Sequence, residues 1–325
     1  MSSAYEVVAF DATRRDAYLG LLHEAWGDDS MTGEAFDWWF ADNPEGSLLS
    51  VADISGRTVG VAGHSLARSV VGGVPSLVQF SVHATTAADA RGLGIFRALE
   101  VRHEQQGAAL GSKAVLAFAS APTRPLFLGP LGWTQIDRVR VWVRPRLPLL
   151  RRLLRRRSEG SPSLGGGDLR SGSVAVWRVE RFGEDADAAY ATAAPLLRNH
   201  LVRDSRYLNW RYLDSPRGYR ALSTASGFAV VGRKVHRGID TAYIAELLAP
   251  PGEASALLSG CLAETRGGPE VVIALPTPTL SRSLLARAGF VPSSAVLDFM
   301  GKGLVEPLDA RGDAWSVTLG DTDFF

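Results

Sequence analysis

The chain of 325 residues has a single cysteine, Cys261. No internal disulfide can form, and a reducing compartment is the natural setting. Cys261 sits in an apolar helical run and reads as a small buried hydrophobe. No apolar stretch approaches the roughly 18 residues that a membrane span needs. The opening residues lack an apolar segment behind a basic one, so no signal peptide is expected. Excess charge is also missing. Lys and Arg number 35 against 34 Asp and Glu, a net of +1, so nothing global draws the chain to nucleic acid or a strongly acidic partner. A cytoplasmic protein without stable membrane insertion, nucleic-acid partner or metal is expected. The apolar fraction of 46% is enough for two cores, and the length fits two domains.

What the chain does have is repetition. Trp38, Phe40, Asp42, Pro44 and Gly46 recur as Trp210, Tyr212, Asp214, Pro216 and Gly218, each 172 positions later. Downstream, Ala114–Trp133 aligns without gaps on Val271–Phe290 at an offset of 157. Both segments read as an apolar strand, a polar loop, a short helix and a Gly-aromatic exit. The two echoes keep their order, so a whole domain is duplicated.

The first half alternates strands and helices. Tyr5–Phe10 reads as a strand. Thr13 can cap a helix to about Trp26 with Leu19, Leu22 and Trp26 on one face. A short aromatic helix around Trp38 and Trp39 ends at Pro44. Leu48–Ile54, Val59–Ala67 and Leu77–Thr86 form an antiparallel meander with Gly-containing turns. A helix follows Gly94, then strand Ala114–Phe118, a short helix and strand Gln135–Val143. In that last strand, valines 139, 141 and 143 alternate with arginines, giving one buried and one solvated face. Residues 146–171 change composition: a Leu/Arg stretch, then a Gly/Ser-rich one that reads as a linker. The Arg-rich residues 144–157 suit a solvated connector better than a membrane-surface helix.

The chemistry-bearing motif is Arg91-Gly92-Leu93-Gly94-Ile95-Phe96, between the end of a strand and the start of a helix. Such a loop offers unpaired N–H groups and the positive end of the helix dipole to a diphosphate. Glycines let the backbone approach the phosphates, although structural glycines in a tight turn would read the same. The loop is neither a first-strand GxGxxG nor a P-loop. With its place after a three-stranded meander, it resembles the coenzyme A loop of the GNAT acyltransferase superfamily. Phe96 departs from that motif by replacing a small residue.

The resemblance implies an α/β (α+β) fold of two tandem GNAT-like domains, each a mixed, mostly antiparallel sheet flanked by helices. Residues 1–145 would hold the intact acyl-CoA loop. Residues 172–325 would be a degenerate copy, since Glu246–Gly252 lacks the motif and Pro250 and Pro251 remove two donors. The implied activity is N-acyl transfer, most simply acetyl transfer, from acyl-CoA as co-substrate to a small-molecule primary amine. The doubled W-x-F/Y-x-D-x-P-x-G motif and the ending around Trp315–Asp323 resemble tandem enzymes acting on nucleotide-linked amino sugars. An aminoglycoside, amino acid or peptide amine is the alternative acceptor, and a non-catalytic ligand-binding scaffold the alternative role. A monomer or homodimer is expected.

In this family the donor lies in a wedge between the strand before the loop and the strand after it. On Leu77–Thr86, Gln79, Ser81 and His83 form a polar row that is costly unless it faces a wet cleft. The row is therefore expected to line the acceptor site. Gln79 would then bind substrate, His83 act as base and Ser81 as relay, with hydrogen-bonded structural roles as the alternatives. Ser120 and Thr123 are candidates for holding the pantetheine, or else turn and cap residues. Leu128 and Leu285 stand where the family often has a Tyr acid, which a thiol leaving group with pKa about 8.5 hardly needs. Trp38 and Trp210 read as core anchors. Asn43 with Asp42, and Ser215 with Asp214, are turn residues that would lie near the acceptor. Arg211 and Arg203 are candidates for a nucleotide diphosphate, or for ordinary ion pairs.

Overall fold

The computed structural model describes residues 5–146, 174–236, 238–266 and 268–323. The expected linker, apart from Arg146, lies outside these, as does the Arg-rich segment beyond that residue. The chain divides into two compact units that interleave in sequence. Residues 1–138, 198–202 and 297–315 form the first, and residues 139–197, 203–296 and 316–325 the second. Unit boundaries and the expected break near residue 145 therefore do not coincide. The last residues of the first half go with the second unit, and two later segments go with the first.

In the first unit the strand order is β1 (Glu6–Ala9), β2 (Ser47–Ile54), β3 (Arg57–Val71), β4 (Val74–Thr86), β5 (Ser112–Ala119) and the later part of β13 (Val291–Gly303). All neighbours pair antiparallel except β4 and β5, which run parallel. A parallel pair needs a crossover, and α3 (Ile95–Ala109) supplies it. β8 (His200–Leu201) pairs with β3. The sheet is covered on both faces. A Cβ on Gly60 would come within 2.4 Å of Ile95, on the α3 side, whereas one on Gly63 would come within 2.6 Å of Phe40. These two positions of β3 lie on opposite faces, as a two-residue period requires.

α1 (Arg15–Trp26) buries Tyr18, Leu21 and Leu22. Its turn is capped by the Asp11 side chain, which accepts from the Thr13 N–H, and not by Thr13 itself. Trp26 was expected on the buried face but is 43% exposed. Trp38 and Trp210 are both buried, as expected of anchors.

The second unit orders β6 (Thr134–Pro145), β12 (Val271–Ala274), β11 (Ile239–Leu248), β10 (Phe228–His236), β9 (Arg220–Ser223) and β7 (Trp177–Val179). Here β11 and β12 run parallel, whereas β10 with β11, β10 with β9, β12 with β6 and β7 with β9 run antiparallel. Leu222, Ile244, Leu257, Cys261, Val272 and Phe290 share its core. Burial pushes the Cys261 thiol up to about 12, which leaves it an inert hydrophobe.

The duplication reaches the level of single hydrogen bonds. α2 (Gly33–Phe36) is capped by Thr32 and runs into a wide turn over Asp37–Ala41, closed by Asp42 N–H donating to Asp37 O at 3.0 Å. The Ser205–Leu208 helix is capped by Asp204 and runs into the same kind of turn over Asn209–Leu213, closed by Asp214 N–H donating to Asn209 O at 2.8 Å. Single-turn π bulges of this sort are rare. After them, Asn43 Oδ1 accepts from Glu45 N–H and Ser215 Oγ from Arg217 N–H. The aligned Gly46 and Gly218 both take positive φ, at 86° and 67°.

In the second unit, residues 318–322 are held by a buried ionic cluster. Arg203 donates to both oxygens of Asp321 at 2.7 Å and to Glu246 at 3.2 Å. Glu246 also accepts from the Tyr212 hydroxyl at 2.8 Å and from the Thr318 hydroxyl at 2.9 Å. Arg203, Glu246 and Asp321 are all buried. Breaking such a pair strands a charge in the interior. Asp321→Ala should therefore cost about 3–5 kcal/mol, read as a lowered urea midpoint. An unchanged midpoint would show that the cluster does not hold the tail.

Candidate functional site

In the first unit, β4 ends at Thr86 and a 3₁₀ turn over Ala88–Ala90 leads into the loop. Gly92 and Gly94 take φ of 83° and 81°, values that favour glycine. A Cβ on Gly92 would meet nothing within 4 Å, and one on Gly94 only Tyr5 Oη at 3.9 Å. Arg91, Leu93 and both glycines are exposed, while Ile95 is buried. Phe96 packs on Phe127, ring centroids 5.5 Å apart. Open space is thus left around both glycines at the N-terminus of the 15-residue α3, whose first-turn amides have no intrahelical partners.

β4, the strand that leads toward this loop, parts from β5 before it ends. β4 and β5 pair from Leu77 with Ser112 to Phe80 with Leu116, and the ladder ends there. Beyond it β4 stays with β3, while Ala117–Ala119 pair with Asp298–Met300 of β13. Two parallel strands that part in this way leave a slot edged by main-chain polar groups. Ser120 lies at its far end, exposed. Its hydroxyl is 2.9 Å from that of Thr123, which also accepts the Ser120 N–H at 3.0 Å. The pair forms a side-chain-closed turn, and Thr123 makes no side-chain cap bond to α4 (Arg124–Leu128).

β4 is bulged opposite the slot. Gly63 faces Val82 but Val61 faces Thr85, so one extra residue enters β4. His83 takes φ of 50° at this point. A bulge re-aims side chains, and the ring of His83 consequently leaves the row of Gln79 and Ser81. It lies edge-on to Trp39 at 5.8 Å, and to Trp26 and Phe40 at 6.3 Å. Its carbonyl accepts from the buried Tyr18 hydroxyl at 3.4 Å. Trp39 in turn donates to Ser65 at 2.5 Å. The exposed Trp26 belongs to this aromatic wall, which the helical spacing of α1 had placed in the core.

The rest of the expected polar row faces no cleft. Gln79 is fully buried under α3, donating to the His103 carbonyl at 3.2 Å, so it does not bind substrate. Ser81 donates to Glu100 Oε1 at 2.9 Å. Glu100 Oε2 lies 3.0 Å from His64 Nε2, and His103 Nε2 lies 2.8 Å from Ser50 Oγ. His64 and His103 pack with ring centroids 4.6 Å apart. This interior polar cluster, not solvent, satisfies the row. The sequence signal for it was available, since Glu100 and His103 break the apolar face of α3.

The other substrate candidates are also engaged. Arg211 is buried, donating to the carbonyls of Gly320 at 3.1 Å and Thr322 at 2.9 Å. Arg203 belongs to the ionic cluster of the second unit. Neither reaches a ligand, because the tail supplies the partners expected of a diphosphate. Asn43 is buried and donates to the Leu66 carbonyl at 3.2 Å, which makes it a turn residue.

The corresponding loop of the second unit differs. Pro250 and Pro251 open the Pro251–Glu264 helix, so two donors are missing. Glu253 adds a carboxylate to the first turn, accepting from Ser226 N–H at 3.0 Å. β11 and β12 also part, after Tyr243 and Ile273. Ile244–Leu248 are nevertheless buried, and Glu246 there is taken up by Arg203 and Thr318.

Comparison with solved structures places the fold. The chain is similar to a GCN5-related N-acetyltransferase from Anabaena variabilis, with TM-score 0.67, 13% identity, 92% of this chain and 73% of that one covered. It is similar to Saccharomyces cerevisiae N-myristoyltransferase with bound myristoyl-CoA, at TM-score 0.65, 12% identity and coverage of 98% and 90%. It is also similar to a putative acetyltransferase from Pyrococcus horikoshii, at TM-score 0.62, 14% identity and coverage of 100% and 96%. No family model matches the chain, and no curated protein matches it. The chain has the GNAT fold. Among the described residues no helix is long and apolar enough to cross a membrane, and no group of His, Cys, Asp and Glu could hold a metal.

Burial, with His64 and Arg102 nearby, holds the His103 imidazole well below its ordinary value. Unfolding restores that value, about 6.5, so below this pH the unfolded chain binds the extra proton. The His103 contribution is complete above about pH 6.5 and is lost as pH falls further, by up to about 1.4 kcal/mol per unit. Urea unfolding between pH 7 and 5 should show this slope, and His103→Gln should flatten it. An equal slope in the variant would locate the effect elsewhere.

Proposed function

We propose that this protein is an N-acyltransferase that moves an acyl group, most simply acetyl, from acyl-CoA to a primary amine of a small molecule. The observation that carries the proposal is the open, glycine-lined helix N-terminus beside a slot between two parting strands. The diphosphate of the donor fits the amides of Gly92–Phe96, with Arg91 alongside; Leu93 and Ile95 contribute only their backbone. Anions are favoured there by the unpaired N–H groups and by the helix dipole. The pantetheine arm would follow the slot toward Ser120 by pairing with main-chain groups of β4. The yeast structure named above holds a donor of this chemical kind.

At the bulge, the thioester carbonyl would meet the incoming amine. The nitrogen lone pair forms the new C–N bond, the C–S bond breaks and the thiolate leaves. His83 takes the proton that the amine gives up, the role a histidine most often plays as general base. The aromatic wall of Trp26, Trp39 and Phe40 shields that step from water. Leu128 contributes no acid; a thiol with pKa about 8.5 leaves as thiolate without one.

The amino-sugar acceptor rests on the repeated W-x-F/Y-x-D-x-P-x-G motif. Arg203, Arg211, Gln79 and Asn43 have no part in binding it. A scaffold without chemistry is the second reading, favoured in the closed second unit only. Calorimetric titration with acetyl-CoA separates the two, with one donor site per chain expected and none if the protein is a scaffold. Gly94→Asp, which places a carboxylate at φ of 81° in the loop, should abolish donor binding; unchanged affinity would remove the loop from the site. His83→Gln should lower kcat by about 10²–10⁴-fold with donor affinity retained, measured by free-thiol release over a panel of amines. Full activity in that variant would assign the base elsewhere.

A further inference from the structure

We infer that Glu100 is the positioning residue that locks the loop-bearing helix to the bulged strand and thereby sets acyl-donor binding, an inference that rests on the donor reading above. Glu100 lies on α3, five residues after its first position, and is fully buried. One carboxylate oxygen accepts from Ser81 of β4 at 2.9 Å, and the other meets His64 of β3 at 3.0 Å. Ser81 is the first residue of β4 beyond the last rung with β5, and it stands two residues before His83. The clamp therefore grips β4 where the ladder to β5 has ended and the strand loses support on that side.

Apolar packing alone would not fix this place. Ile95 and Leu99 fill the space over Gly60, but dispersion contacts tolerate sliding, whereas hydrogen bonds to a buried carboxylate are short and directional. A buried carboxylate that moved would leave its partners unsatisfied. Further along the same helix, His103 reaches Ser50 of β2, and its carbonyl holds Gln79 of β4. Glu104 accepts from Trp133 at 2.7 Å and from Lys302 at 2.6 Å. The helix is thus keyed at successive turns, and Glu100 is the key nearest the loop. A displacement of α3 along its axis would shift the loop amides relative to the bulge, and errors of about 1 Å in such geometry cost up to about 10²-fold in rate.

Three variants of the full chain test this. Glu100→Ala removes both bonds. Glu100→Gln keeps an acceptor for Ser81 and a donor for a neutral His64. Leu99→Ala removes fully buried packing from the same helix without touching the clamp. Acetyl-CoA affinity by calorimetry should fall at least about tenfold in Glu100→Ala, about 1.4 kcal/mol. Glu100→Gln should stay within about threefold of the parent, and Leu99→Ala should lower Tm while leaving affinity unchanged. Hydrogen exchange, which needs no ligand, should become faster at residues 81–85 in Glu100→Ala but not in Leu99→Ala. Equal affinity loss in Glu100→Ala and Leu99→Ala would reduce Glu100 to generic packing and overturn the inference. So would unchanged protection of residues 81–85. A parent chain that binds no acetyl-CoA while Glu100→Ala still loosens β4 would sink the donor reading and leave the clamp as structure alone.

Discussion

Everything in the first unit that could serve chemistry follows from one constraint: β4 and β5 stop pairing after Phe80 and Leu116. A parallel ladder that continued would fill the slot with its own hydrogen bonds. Because it ends, β4 runs on from Ser81 without its β5 rungs. β3 holds the other edge, and α3 holds the face beneath. The bulge at His83 belongs to the same departure, since a strand that loses one neighbour can absorb an extra residue. The parting of the strands and the bulge share this stretch of the sheet, while the open loop rests on Gly92 and Gly94.

The second unit repeats several features of the first. Its wide helical turn, its parting parallel strands and its register shift on β11 repeat those of the first. The two prolines and Glu253 make its loop unattractive to anions. Residues 318–322 are tied in by Arg203 and Arg211, whose guanidinium groups are taken up by Asp321 and main-chain carbonyls. A buried ionic cluster of this kind contributes little net stability compared with apolar packing, yet it is costly to break. It fixes where the tail goes.

The sequence made much of the fold legible where the determinants are local. The glycines of the loop, the Gly-containing turns and the strand alternation of β6 all act within a few residues. The duplicated aromatic motif reported a wide helical turn, although only its recurrence was visible and not its geometry. Trp38 and Trp210 were readable as anchors because the space they fill is set by their own short helices. Trp26 was not, because α1 turns its face through Tyr18, Leu21 and Leu22, and this leaves the last turn proud of the core.

The amino-acid sequence by itself showed that two segments recur in the same order, and that a Gly-x-Gly loop in the first half gives way to two prolines in the second. Both facts rest on backbone chemistry written in consecutive residues. Only the tertiary structure decided which polar side chains are taken up inside the protein. Period-two alternation put Gln79, Ser81 and His83 on one face, but a single inserted residue sent His83 to the aromatic wall and left the other two to α3. Arg203 and Arg211 found their partners more than 100 residues away along the chain. A buried charge takes whatever partner folding brings beside it, and spacing along the chain carries no record of that choice.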